Sequence, residues 1–204
     1  LYRGYTHYGP AAGLTEFRAV IAEQAGKERG LTFTPDQVVV TPGAKPIMFY
    51  VITALIGEGD ECIYPNPGFP IYESMINFMG GKAVPIPLRE ENDFRLDVRE
   101  LASLITPRTR LIIVNSPQNP TGGVLTYSDL EQIARLAVKH QIPVLTDEVY
   151  KHFIYDGQFH SVASFPGMAD LSIILDGHSK SYAMTGWRLG YGIMPADFAK
   201  VVAT

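Results

Sequence analysis

A chain of 204 residues that is 46% apolar and 19% charged has the make-up of a soluble globular domain rather than a disordered one. At this size roughly 70% of the unfolded surface is buried on folding, so neither a disulfide nor a metal is needed to hold a core. Seventeen basic residues against twenty-one acidic ones leave a net charge of −4, a poor match for a general binder of nucleic acid or anionic membrane.

Arg3, Gly4, His7, Gly9 and Pro10 interrupt the first ten residues, which do not read as a secretory signal. Leu14, Phe17, Val20 and Ile21 recur at helical spacing between Gly13 and Gly30, predicting an amphipathic helix closed by Gly30. Gln37–Thr41 reads as a buried strand, and an apolar helix follows Gly43 from about Ala44 to Ile56. The apolar stretch Ile47–Ile56 is half of what a bilayer span needs. Glu61–Tyr64 is the next strand, with the single cysteine, Cys62, in its apolar run. One cysteine excludes an internal disulfide and a multi-cysteine zinc site, and points to a cytoplasmic compartment. Phe69–Met79 reads as a helix stopped by Gly80-Gly81, and Lys82–Pro87 as a strand that Pro85 and Pro87 confine to an edge. Leu111–Val114 is a short apolar strand. Ser128 with Glu131 suggests a capping box for a helix whose apolar face is Leu130, Ile133, Ala134, Ala137 and Val138. Strands Pro143–Thr146, Leu171–Leu175 and Arg188–Met194 complete a set of about seven, and a helix follows Pro195. A start at Leu1 and a stop at Thr204 inside that helix are read as marks of a fragment.

Short apolar strands alternating with amphipathic helices predict an α/β fold, a three-layer sandwich around a mostly parallel sheet. Ligands bind such sheets at the carboxyl ends of the strands. The segments that follow the strands here are polar or glycine-rich: Gly43-Ala44-Lys45, Asn66 to Phe69, Asn115 to Gly122, Asp147 to Tyr150 and Gly177 to Lys180.

Each of these residues has a plain structural alternative. Lys180 alone would be a solvated surface charge. Placed just after the Leu171–Leu175 strand, it is a candidate carbonyl nucleophile whose partial desolvation favours the free amine. Asp147 is either a helix N-cap or the partner of a buried cation such as a protonated pyridine nitrogen. Tyr150 is a half-buried aromatic or a hydrogen-bond donor to the same ring. The prolines and glycine around Asn119 fix an irregular loop. Gly43, Ala44 and Lys45 open a helix directly after a strand, a geometry that presents N–H groups to an anion. Arg188 is a phosphate fork or a surface salt bridge. The five histidines show no metal-ligand spacing, so no metal site is expected, and Cys62 reads as an inert core residue. No G-x-G-x-x-G follows a strand, which counts against a nicotinamide enzyme.

Asn119-Pro-Thr-Gly122, Asp147-Glu-Val-Tyr150 and Ser179-Lys180 with Gly186-Trp-Arg188-Leu-Gly190 together resemble the signature of class I/II aminotransferases, the aspartate aminotransferase family of fold type I pyridoxal-phosphate enzymes. The resemblance runs in order along essentially the whole chain. It implies that residues 1–204 form the large, cofactor-binding domain, with the C-terminal small domain and its carboxylate-binding arginine absent. It implies pyridoxal 5'-phosphate as cofactor, held by Lys180 as a Schiff base. Asp147 would pair with the pyridinium nitrogen, Asn119 and Tyr150 would bond the phenolic oxygen, and Phe69 would stack on the ring. Gly43, Ala44, Lys45 and Arg188 would hold the phosphate, with Ser179 a candidate to replace the serine that many members carry where this chain has Gly177. Tyr8 would reach the phosphate of a neighbouring subunit, implying a homodimer with shared sites.

The implied reaction moves the amino group of an L-amino acid to a 2-oxo acid. Aspartate is the family default, and aromatic or broad selectivity is open because Phe69 stands where aspartate-specific enzymes often have tryptophan. The alternatives are a carbon–sulfur β-lyase on the same scaffold and a non-catalytic cofactor-binding or regulatory fragment.

Overall fold

The computed structural model describes Gly4 and residues 6–204. Leu1 and Arg3, which entered the reading of the leading segment, lie outside the described residues. In chain order the elements are α1 (Thr15–Arg29), β1 (Val38–Pro42), α2 (Lys45–Leu55), β2 (Glu61–Asn66), α3 (Ile71–Phe78), β3 (Lys82–Pro87), α4 (Val98–Leu104), β4 (Thr109–Asn115), α5 (Tyr127–His140), β5 (Val144–Asp147), β6 (Ser172–Gly177), α6 (His178–Ser181), β7 (Leu189–Ile193) and α7 (Ala196–Val202).

The seven strands form one sheet in the order β1-β7-β6-β5-β4-β2-β3. Strands β3, β2, β4, β5 and β6 run parallel, and β7 is antiparallel to both β6 and β1. The proline-bearing β3 is an edge strand, as its prolines require. The Val38–Pro42 strand occupies the opposite edge, with Val38, Val39 and Thr41 buried as its apolar run leads one to expect.

Side chains alternate across the sheet and divide the core between its faces. On β4, Ile113 joins Leu145, Leu175 and the helices α2, α3 and α7 on one face. Its neighbours Ile112 and Val114 turn to the other face, against α5. Beside that second layer, α1 packs Ile21, Ala22 and Ala25 onto Val38, Ile174 and Ile193. Cys62 is buried in the first face, and burial alone pushes its thiol upward, so it is unreactive core.

Helix ends follow local chemistry. Gly30 closes α1 with φ of 65°. The start of α5 differs from the sequence expectation: Thr126 caps it in a reciprocal box with Asp129. Ser128 and Glu131 lie inside the helix, where Glu131 pairs instead with Arg135 one turn on. Helix α4, capped by Asp97 through the Arg99 N–H, went unread because its seven residues are too few to set up a clear period.

Candidate active site

Register brings the candidate residues to one edge of the sheet. Asn115 lies beside Asp147, and Asp147 beside Leu175. Gly177 lies beside Gly190, which is itself paired with Thr41. Because β7 runs antiparallel, the residue before its start, Arg188, arrives at the edge where β1 and β6 end.

A cavity of about 390 Å³ opens at this edge. It is lined by Ala44, Lys45, Phe69, Asn119, Asp147 and Tyr150, and on the other side by Gly177, Ser179, Lys180 and Arg188. Nine of the eleven residues expected at the site therefore share one wall-to-wall space. Gly43 stands just behind it: at φ +84° it takes a conformation that disfavours side chains, and a Cβ there would sit 2.3 Å from Nη2 of Arg188. Tyr8 is not part of the cavity and projects fully into solvent.

Asp147 is the buried anion of the site. Its Oδ2 accepts a 2.8 Å hydrogen bond from the Tyr72 hydroxyl, and its Oδ1 a long 3.4 Å one from the Val149 N–H. Among the described residues no lysine or arginine pairs with it. Burial raises its carboxyl to about 6, against the lowering effect of the two donors, and Asp176 and Glu148 add to the rise. A fully buried carboxylate without a cation is costly, and a cationic group in the cavity relieves that cost.

The opposite end of the cavity is cationic. Arg188 adopts φ of 53° and donates to the Thr185 carbonyl at 2.9 Å and the Pro42 carbonyl at 3.3 Å. It makes no salt bridge among the described residues, so the surface-pair alternative does not hold. Helix α2 begins at Lys45 beside it, and first-turn N–H groups have no partner within a helix. Lys45 places its ammonium 5.3 Å from the Phe69 ring centre.

Lys180 sits on the single turn α6, with Nζ 5.9 Å from the Tyr150 ring centre. It is exposed, which corrects the expectation of a lysine desolvated by its surroundings: a four-residue helix at the rim leaves the side chain uncovered by this chain. Gly177 cannot be replaced casually by the expected serine. A Cβ there would meet the Gly190 Cα and the Leu189 carbonyl oxygen, each at 3.1 Å. Ser179 does line the cavity.

The Asn119 loop is held by residues that sequence reasoning quoted without assigning. Asn115 accepts from the Asn119 N–H at 2.8 Å and donates to the Asp147 carbonyl at 3.0 Å. Gln118 donates to the Pro67 carbonyl and accepts from Thr121, crossing the loop. Tyr72 was missed outright. Its only signal is its place three residues after Phe69, in the first turn of α3.

An amine, a buried carboxylate without a cation, an aromatic face and an anion-binding corner around one crevice define an α/β protein built to hold an anionic, ring-bearing carbonyl compound. The chain belongs to the aminotransferase class I and II family, which it matches over residues 2–204. Enzymes of that family depend on pyridoxal phosphate. The chain is 45% identical over 195 residues to an aspartate aminotransferase of Pyrococcus abyssi, covering 95% of this chain and 50% of that one. It is 43% identical to aromatic-amino-acid aminotransferase 2 of Thermococcus litoralis, covering 96% and 51%. The structure of a Thermus thermophilus aspartate aminotransferase with maleate superposes with a TM-score of 0.95 at 38% identity, covering 99% of this chain and 52% of that one. The chain thus spans about half the length of the curated relatives it matches.

Proposed function

We propose that this chain is the cofactor-binding large domain of a pyridoxal-phosphate-dependent aminotransferase. It would move the amino group of an L-amino acid to a 2-oxo acid. The observation that carries the reading is the pairing of Asp147, buried without a cation, with the cationic corner at Arg188 across one cavity. That polarity matches a ligand with a basic ring nitrogen at one end and a phosphate at the other.

When bound, pyridoxal phosphate supplies an aldehyde and an electron-accepting ring. Asp147 would keep the proton on the ring nitrogen, an attraction that the low-dielectric surroundings strengthen. Arg188 and the start of α2 would bind the phosphate, with Ser179 and Lys45 beside them. Phe69 would cover the ring face, and Asn119 and Tyr150 would bond the phenolic oxygen. Lys180 would hold the aldehyde carbon and would carry the proton at the substrate α-carbon.

Aspartate is the first substrate to try, with aromatic amino acids next, since relatives at similar identity carry both names. The same proposal includes a homodimer with shared sites, in which the exposed Tyr8 reaches the partner's phosphate. It also includes a small domain in the remainder of the protein and a cytoplasmic location. No helix among the described residues is long and apolar enough to cross a membrane.

The test is reduction of the full-length protein with borohydride in the presence of pyridoxal phosphate, followed by peptide mass spectrometry. An adduct on Lys180, lost in Lys180→Ala, is the expected result, together with conversion to the pyridoxamine form by an amino donor. Scattered labelling of lysines, or a cofactor that no donor converts, would overturn the reading.

A further inference from the structure

Behind the cavity, on the α1 face of the sheet, lies a buried ion cluster that the reaction itself does not use. Arg29, the last residue of α1, donates to Oε2 of Glu148 through Nε at 2.9 Å and Nη2 at 2.7 Å. The same Nη2 reaches Oδ2 of Asp176 at 3.1 Å. That oxygen also accepts from the Tyr191 hydroxyl at 3.0 Å and from the Lys151 ammonium. Oε1 of Glu148 accepts from Ser161 at 2.6 Å and Thr146 at 3.0 Å. The side chains of Arg29, Glu148, Lys151 and Asp176 are at most 3% exposed. Burial works against the Arg29 charge, but Glu148 and Asp176 outweigh it and raise the guanidinium above its ordinary value.

The placement of these groups is what gives them a function. Glu148 directly follows Asp147, Lys151 directly follows Tyr150, and Asp176 lies between the cavity residues Leu175 and Gly177. In β6 the alternation of strand side chains sets Asp176 opposite Leu175 and Gly177, and Glu148 and Lys151 lie in the turn that follows Asp147, so the clamp and the reacting groups share the same stretches of backbone. A buried ion cluster is weak evidence for stability, because well-packed apolar residues do as well or better. The backbone ladder already spaces the two strands, with the Glu148 N–H donating to the Leu175 carbonyl at 2.9 Å; the fork adds directional bonds between their side chains, which apolar packing cannot supply.

We propose that Arg29 is a positioning residue for the cofactor site. By tying Glu148, just past the end of β5, to Asp176 in β6, it adds to the strand ladder a side-chain tie that orients the Asp147 carboxylate relative to the turn that carries Lys180. The inference rests on the aminotransferase reading of the cavity. A lysine at position 29 keeps the charge and loses the fork, so it separates positioning from simple neutralisation of the two carboxylates.

The experiment uses the full-length protein and two variants, Arg29→Lys and Tyr191→Phe. Three quantities are measured on each: pyridoxal phosphate affinity by fluorescence titration, kcat and KM for the preferred amino donor, and melting of the cofactor-free protein. The expected result for Arg29→Lys is kcat lower by about tenfold or more, since a misplacement near 1 Å suffices for that, with KM within about twofold. Pyridoxal phosphate binding weakens by about tenfold. Tyr191→Phe removes one neutral donor and gives a smaller loss of the same kind, so it carries the test if Arg29→Lys does not fold. Wild-type affinity and kcat in whichever variants fold, whatever their melting temperatures, overturn the positioning role. A wild-type protein that forms no Lys180 adduct overturns the aminotransferase reading instead, so the two failures are distinct.

Discussion

The Tyr72 hydroxyl donates a 2.8 Å hydrogen bond to Oδ2 of Asp147, joining helix α3 to the end of β5 beneath the cavity. Tyr72 is fully buried, and burial together with the Asp147 charge pushes its own hydroxyl well above the ordinary tyrosine value, so it acts only as a donor. With Oδ2 occupied and Oδ1 only loosely bonded to the Val149 N–H, the carboxylate keeps one oxygen available to a ligand.

Tyr72→Phe leaves that oxygen without its donor. The expected cost in the cofactor-free protein is about 1–3 kcal/mol where Asp147 is charged. The carboxyl should also rise further above 6, since Tyr72 is the larger of the two lowering influences. Calorimetric melting from pH 5 to pH 8 checks both effects: the deficit of the variant should grow with pH. A deficit that stays flat across that range would show that the bond does not act through the Asp147 charge.

The raised carboxyl also makes a signed prediction for the protein without cofactor. Asp147 moves from an ordinary value of 3.8 to about 6 on folding, so the folded state holds its proton more tightly than the unfolded one. Its contribution to stability is therefore fully present below about pH 4 and is lost as pH rises through 6. Asp147→Asn removes that dependence. Above pH 6 the cofactor-free variant should be more stable than the parent, by up to about 3 kcal/mol. Its transaminase activity should fall by at least about a hundredfold. Equal melting temperatures at pH 7.5 would contradict the assignment of Asp147 as an uncompensated buried anion.

Much of this arrangement was legible in the sequence because parallel strands announce themselves as short apolar runs, and the segments after them carry the polar residues. Asp147, Lys180 and Asn119 are found by that rule alone. Arg188 is different: it precedes a strand, and only the antiparallel course of β7 brings it to the same edge. The clamp of Arg29, Glu148 and Asp176 was invisible, since Arg29 lies more than a hundred residues from either carboxylate and no local period links α1 to β6. Tyr72 was hidden for the opposite reason, because an aromatic on the inner face of a helix looks like ordinary core. The exposure of Lys180 was also beyond reach, because it depends on what covers α6 rather than on the strand that leads to it.

Arg188 should matter for cofactor binding and little for folding. It is exposed and bonds only two backbone carbonyls, so Arg188→Lys is expected to change the melting temperature of the cofactor-free protein by no more than a surface substitution, about 0.5 kcal/mol. Lysine offers a point charge in place of the planar fork that grips a phosphate through two N–H groups. Pyridoxal phosphate affinity should drop by about tenfold or more, whereas affinity for pyridoxal, which lacks the phosphate, should stay within about twofold. An equal loss for both ligands would place the guanidinium elsewhere than at the phosphate.

Gly190 tests how the two sides of the anion corner are held together. A Cβ at this position would lie 2.2 Å from the Ala44 nitrogen and from the Gly43 carbonyl carbon, and 2.6 Å from the Ala44 Cα. All three are backbone atoms, so no side chain can swing aside. Either β7 or the start of α2 must move, and β7 is tied on both flanks, to Thr41 and Gly177. Gly190→Ala should therefore destabilise the protein by about 1–3 kcal/mol. It should also weaken pyridoxal phosphate binding, because Arg188 and the N-terminus of α2 lie on the two sides being forced apart. Gly186→Ala is the matched control. Nothing lies within 4 Å of a Cβ there. That variant should melt within about 0.5 kcal/mol of the parent. If both alanine variants bind pyridoxal phosphate like the parent, the close approach of β7 to α2 does not set the geometry of the anion corner.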